Sequence, residues 1–315
     1  MTRLAIFCKI QALHQSVIIN FYIYKLIVPN TMSDKIHRFI FDSFGIRGEL
    51  VQLEASVQSM LNKHHYPVVI ADLLQQVAAV SILLTTTLKF EGKMSVQLQT
   101  KGRLKMLVVQ ANNTLGFRGI ARYDKQADYQ NMTFSDLTKK GHLSITIEPK
   151  KGKRYQGYVD LKQDSFAGCI EDYFNQSEQL KTRIWLFNDD NKVTGLMLQA
   201  LPDMLSQDSF DHLVYLSETL TKEECLSISG DVLLNRLFHQ ESVRDLLTQD
   251  VHFQCGCNKK KMLDSIALFP ADELQEIIDQ KGIVTVKCEF CLNQFDFRDV
   301  EIKSHQAMTG NKTKH

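Results

Sequence analysis

Four cysteines in the last fifth of the chain limit what it can fold into more than any other feature. Cys255-Gly256-Cys257 and Cys288-Glu289-Phe290-Cys291 form a C-x-C and a C-x-x-C separated by 30 residues. Four thiolates suit tetrahedral zinc, and a short spacer lets both sulfurs of a pair reach one ion while backbone amides point at them. Gly256 eases the narrow C-x-C bite, where a side chain would crowd the metal. The candidate metal ligands are therefore Cys255, Cys257, Cys288 and Cys291, holding one Zn(2+) per chain in the reduced form. A full set of sulfur ligands leaves no open position for water or substrate, which argues against a hydrolytic centre. The other three of the seven cysteines, Cys8, Cys169 and Cys225, stand singly. Cys169 and Cys225 sit among apolar residues, where a small buried hydrophobe is the expectation. An odd, clustered count argues against a secreted disulfide scaffold and for metal or redox chemistry in a reducing, cytoplasmic compartment.

The sequence between the pairs reads as a scaffold for them. Pro270-Ala271-Asp272-Glu273 opens a helix with acids in its first turn, Leu274, Ile277 and Ile278 give it an apolar face, and Gly282 ends it. Ile283 to Val286 then make a strand that delivers Cys288, and Phe295 and Phe297 return beside it. The module is expected over 255–300, with 301–315 as a C-terminal tail. Zinc-held thiols stay nucleophilic, so the same site admits two readings: a structural zinc ribbon, or a switch in which oxidising either pair ejects the ion and removes much of the module's folding free energy.

Upstream, 315 residues is about two domains' worth, and 44% apolar against 23% charged residues is an ordinary globular mixture. Lys plus Arg (37) balances Asp plus Glu (36), so there is no bulk attraction toward nucleic acid or anionic membrane, and neither partner is expected. The run Lys259-Lys260-Lys261 reads as a solvated loop, and His64-His65 as a surface pair. The fold class is α+β. An N-terminal domain over 32–202 is expected to combine antiparallel hairpins with a long buried helix. Phe39, Phe41, Phe44 and Ile46 read as one strand, and Val68 to Leu84 as a core helix begun at Pro67. Hairpins fall over 94–109 and 143–161, a helix over Ile170–Leu186, and a final strand over Leu196–Leu201. Polar residues dilute short apolar groups over 203–254, which reads as a metastable helical linker dependent on what it docks against, Leu213, Val214, Leu233 and Leu234 being the docking candidates. Residues 1–31 read as a doubtful extension, with translation expected to begin at Met32.

No phosphate loop, dinucleotide fingerprint, nucleophile elbow or H-E-x-x-H is present in the sequence, so no enzyme is expected. Several segments together resemble the redox-regulated 33-kilodalton heat-shock protein family of bacteria: Phe44 with Arg47 to Val51, Thr87 to Gly92, Glu171 to Leu180, Leu198 to Pro202, Leu234 to His239, and the four cysteines. Asn258 and the lysine run depart from the family's usual residues. The resemblance implies an ATP-independent holdase, inactive when reduced and zinc-loaded. Oxidation would form the disulfides Cys255-Cys257 and Cys288-Cys291, the latter first. The metal would then leave, the linker unfold, the monomer become a homodimer, and unfolding client proteins be held until reduction. A constitutive zinc-ribbon protein, RNA or ribosome associated, is the alternative.

Overall fold

Near-continuous apolar runs and strictly alternating ones both occur in this chain, and they build two sheets that differ in burial. The computed structural model describes residues 34–87, 91–202 and 207–310. Strands β1 (Lys35–Phe41), β2 (Ile46–Leu53), β8 (Thr182–Asn188), β9 (Val193–Ala200) and β10 (Arg244–Asp250) form an antiparallel sheet in the order β10-β1-β2-β9-β8. Strands β3 (Gly92–Gln99), β4 (Leu104–Asn112), β5 (Gly116–Tyr123), β6 (His142–Pro149), β7 (Tyr155–Asp160) and β11 (His252–Phe253) form a second, ordered β11-β5-β4-β3-β6-β7. Its pairings are antiparallel except the short parallel contact of β11 with β5.

Helix α1 (Ala55–Leu61) leads to α2 (Val68–Thr87), which packs against strands of both sheets. By length and composition α2 alone among the described residues is apolar enough to cross a membrane, yet 72% of its most apolar stretch is buried inside the protein. It is the core helix that Pro67 and its interspersed amides imply. The main core gathers around it, with Leu74, Val77 and Ile82 meeting Val96, Leu107 and Met197.

Several elements differ from the sequence reading. Phe39 to Ile46 is a hairpin rather than one strand, because Asp42 to Gly45 turn the chain and Gly45 takes φ 62. Gly48 faces Phe39 across that hairpin so closely that a Cβ would lie 2.1 Å from the ring. Strand β4 runs past Val109 to Asn112 and pairs with β5, a strand that the sequence reading did not place. The helix expected over Ile170–Leu186 is instead α4, beginning after α3 (Phe134–Thr138), and spans Phe166–Tyr173, capped by the Ser165 hydroxyl, which accepts from Gly168 N–H at 3.2 Å. A π turn (Phe174–Glu178) and Gln179 at φ 55 then stop it, and Thr182 onward is β8. β-branched and aromatic residues in Thr182–Asn188 explain the change.

The segment read as helical linker contains α5 (Gln207–Ser217), α6 (Lys222–Ser227) and α7 (Gly230–Phe238), but its last part is β10 and β11. The helices lie on the face of the first sheet opposite α2. There Phe210, Leu213, Leu233 and Phe238 bury against Phe39, Phe41, Leu196 and Leu198, with Val214 and Leu234 partly buried beside them. Two buried side chains grip the linker's main chain: Gln52 donates to Cys225 O (3.2 Å) and Ile228 O (2.9 Å), and Thr194 donates to Cys225 O (2.7 Å). Cys169 and Cys225 are both fully buried. Cys8 and the whole doubtful extension lie outside the described residues.

Candidate metal centre

The C-terminal module is built from short pieces. Helix α8 (Lys259–Ile266) starts where Asn258 accepts from Lys261 N–H (2.9 Å), so the lysine run is a first helical turn rather than a loop. Helix α9 (Ala271–Lys281) ends at Gly282, φ 75, in the left-handed cap the sequence implies. Strands β12 (Val284–Lys287) and β13 (Gln294–Phe297) pair as a hairpin, and α10 (Asp299–Gly310) follows. Residues 301–310, read above as part of a tail, thus belong to a helix whose Ile302 joins Ile266, Leu274, Val284 and Phe297 in the module's core. Lys259 reaches Glu301 (2.6 Å) and ties α8 to α10.

Two turns present the cysteines. In the first, Lys261 Nζ donates to Gly256 O (2.5 Å). In the second, Leu292 N–H donates to Cys288 O (2.8 Å) and Cys288 N–H to Asn293 O (2.9 Å), with Leu292 held at φ 61. The four Sγ atoms lie within 4.8 Å of one another, with Cys255 to Cys288 at 3.7 Å and Cys257 to Cys291 at 3.4 Å. A tetrahedron with Zn–S of about 2.3 Å has edges of about 3.8 Å, so this donor set fits a single tetrahedral ion. Cys288 and Cys291 are buried and the first pair half-buried.

Electrostatics point the same way. Cys255 is pushed down to about 7: burial opposes ionisation, but the Cys257 N–H and the Arg118 guanidinium outweigh it. Burial and the neighbouring sulfurs drive Cys257 up, and burial foremost drives Cys291 up. Cys257 and Cys291 therefore resist ionisation beside Cys255 unless a cation sits among the sulfurs. The two short sulfur contacts run between the pairs, not within them. All edges of a tetrahedron are equivalent, so this geometry does not select a disulfide pairing.

The site also involves residues that the sequence reading passed over. Arg118 of β5 lies 3.7 Å from Cys255 Sγ and 4.0 Å from the Phe290 ring centroid, and Arg122, four residues on, pairs with Glu289. Their i, i+4 spacing puts both arginines on one face of a strand, but Gly116–Tyr123 shows no apolar alternation that would reveal that strand. His64 and His65 stand at the α1–α2 connection, outside the cysteine cluster.

The Hsp33 protein family matches residues 34–298. The chain is 40% identical over 272 residues to the 33 kDa chaperonin of Shewanella sediminis, covering 86% of this chain and 95% of that one. It is 41% identical over 276 residues to the 33 kDa chaperonin of Shewanella oneidensis, covering 87% and 96%. In three dimensions it is similar to the crystal structure of the 33 kDa chaperonin, a heat shock protein 33 homologue, from Thermotoga maritima. The TM-score is 0.76 at 18% identity, covering 88% of this chain and 99% of that one.

Proposed function

The chain belongs to the Hsp33 protein family of chaperones, and from that membership we propose that it is a redox-regulated, ATP-independent holdase whose switch is the four-cysteine centre. The observation that carries this reading is one of continuity: a single segment, 207–254, both covers the apolar face of β1, β2 and β9 and runs directly into Cys255.

A zinc ion bound by Cys255, Cys257, Cys288 and Cys291 would offset the thiolates' charge and hold the two turns together. Everything else is done by the chain. A thiolate attacks peroxide, leaving a sulfenic acid and hydroxide. The second thiolate of the pair attacks that sulfur, forming the S–S bond and expelling the second hydroxide. Two electrons pass to one peroxide, and two of the four donors are gone. Disulfides Cys255-Cys257 and Cys288-Cys291 are the pairing proposed, with Cys288-Cys291 forming first. The module's five-residue core then lacks its cross-link, the linker loses its brace, and Phe39, Phe41, Leu196 and Leu198 become available to unfolding client proteins. The oxidised protein is a homodimer and the reduced one a monomer. The absence of a phosphate loop from the sequence suits a holding cycle without nucleotide.

The test measures zinc release alongside aggregation of a heat-labile client, with and without peroxide at elevated temperature. The expected result is release of one zinc per chain together with client protection, both only after oxidation and both reversed by a dithiol reductant. Metal retained and activity unchanged under peroxide would instead mark a constitutive zinc-ribbon protein.

A further inference from the structure

The two cysteine pairs are fastened to the N-terminal sheet by different means. The C-x-C follows β11, whose main chain pairs with β5: Gln254 N–H donates to Phe117 O at 2.8 Å, and Asn112 Nδ2 donates to Gln254 Oε1 at 2.8 Å. Gly116 permits this approach, since a Cβ there would fall 2.3 Å from Gln254 Oε1. Among the described residues, the C-x-x-C has no main-chain hydrogen bond to that sheet. It is fastened through the two residues between its cysteines. The Arg118 guanidinium stacks 4.0 Å from the Phe290 centroid, and Arg122 pairs with Glu289. Gln110 Oε1 accepts from Arg118 Nε (3.0 Å) and Nη2 (2.7 Å), which fixes the guanidinium over the ring while Nη1 reaches Cys255 Sγ at 3.7 Å.

We propose that Arg118 and Arg122 form the releasable latch of the redox module, holding Glu289 and Phe290 against β5 so that changes at the second cysteine pair reach the sheet and linker through these two side chains. This rests on the redox-chaperone reading and adds the route by which the centre is coupled to the linker. Both arginines are positioning residues. They are unequal, because the Arg122 and Glu289 side chains are 56% and 59% exposed and a solvent-exposed ion pair holds weakly. A pre-oriented stacked guanidinium holds more strongly, so Arg118 carries the larger share. When the second turn changes shape, the stack and the ion pair separate together, while β11 keeps the first turn in place until the linker itself opens.

The experiment uses the full-length, reduced, zinc-loaded protein and follows three quantities: zinc content, the rate of protease cleavage across 244–254, and the peroxide concentration giving half-maximal client protection. Arg118→Ala is expected to keep its metal and to be cleaved about tenfold faster, the ratio that about 1.4 kcal/mol commands. It should also need less peroxide. Arg118→Lys, which keeps the charge but lacks the planar stacking group, should recover only part of the protection. Arg122→Glu should produce a smaller rise, about twofold to threefold on the scale of exposed ion pairs. The swap Arg122→Glu with Glu289→Arg should reverse it, a rescue that general destabilisation of β5 would not give. Unchanged cleavage in Arg118→Ala overturns the latch. So does loss of metal from Arg118→Ala, which would assign that arginine to the sulfur centre alone, and so does a swap that fails to reverse Arg122→Glu. If the variants open as expected but neither they nor the oxidised wild type protects a client, the latch stands and the chaperone-switch reading falls.

Discussion

Strands β9 and β10 belong to the same sheet and are nearly the same length, yet all eight residues of β9 are buried while six of the seven in β10 are exposed. β9 lies between α2 and the linker helices, so it loses water on both faces. β10 sits at the sheet edge against β1 and contributes mainly its main-chain pairing. Burying a large aliphatic side chain stabilises by about 1.5–3 kcal/mol, whereas a net backbone hydrogen bond in water contributes about 0.5–1.5 kcal/mol. Two strands of one sheet therefore differ in how readily they part from it. The linker as a whole is graded: α5 to α7 bury Phe210, Leu213, Leu233 and Phe238, and β10 buries little. Within this segment β10 is therefore expected to part from the sheet before the helices do.

The largest effect that would test this contrast lies at the module, because it has the smallest core. Five buried residues, Ile266, Leu274, Val284, Phe297 and Ile302, stand against the extensive cluster around α2. Structural zinc contributes on the order of 10 kcal/mol in zinc-finger peptides. Cys288→Ser is thus expected to loosen the metal and unfold 255–310, while 34–202 keeps its thermal transition. Chelator competition and amide hydrogen exchange would measure both. Tight metal in that variant would mean that the ligands are misassigned.

A smaller effect is expected one step inward. Leu233 is 2% exposed and packs in the cluster that includes Phe39 and Phe238. Cutting a buried leucine to alanine costs about 2–5 kcal/mol, comparable with the docking of short helices that are marginal alone. Leu233→Ala should therefore protect a client under reducing conditions with zinc still attached. Leu74→Ala, of similar cost but in the main core, should lower overall stability without that gain. If the two variants behave alike in the aggregation assay, linker and core are a single cooperative unit and the grading is wrong.

The cysteine centre could be read from spacing because its chemistry is local: Cys255, Gly256, Cys257 and the C-x-x-C carry their geometry in short turns. Helix ends marked by proline or glycine were legible for the same reason, as at Pro67, Pro270 and Gly282. The misread elements are those decided at long range. Ile184 to Leu186 has enough apolar character for a helix, but Glu171 accepts from Ile184 N–H (2.8 Å) and β9 supplies a pairing partner, and together they fix a strand. Arg244 to Asp250 has no buried side-chain period to reveal it, and only pairing with β1 makes it a strand. Ile302 could be placed in the module's core only by knowing what it folds against. Arg118 and Arg122 were hidden behind an unrecognised β5, although their i, i+4 spacing on a strand puts both on one face.

The smallest expected effect separates main-chain pairing from side-chain burial within the linker's own end. Leu246 and Leu247 are the large apolar residues of β10, and they are 43% and 47% exposed. Val251, immediately after the strand, is 4% exposed, joins the main core, and donates its N–H to Asp34 O at 2.8 Å. Size alone would rank the leucines above the valine, and burial reverses that order. Val251→Ala removes two buried methyl groups, about 0.8 kcal/mol each before any cavity cost. Leu247→Ser alters an exposed side chain, where substitutions stay within about 0.5 kcal/mol. Hydrogen exchange of the β10 amides in the reduced protein is expected to accelerate severalfold in Val251→Ala and to stay near wild type in Leu247→Ser. Acceleration in Leu247→Ser equal to that in Val251→Ala would show that β10 is held by its side chains after all, and the contrast with β9 would fall.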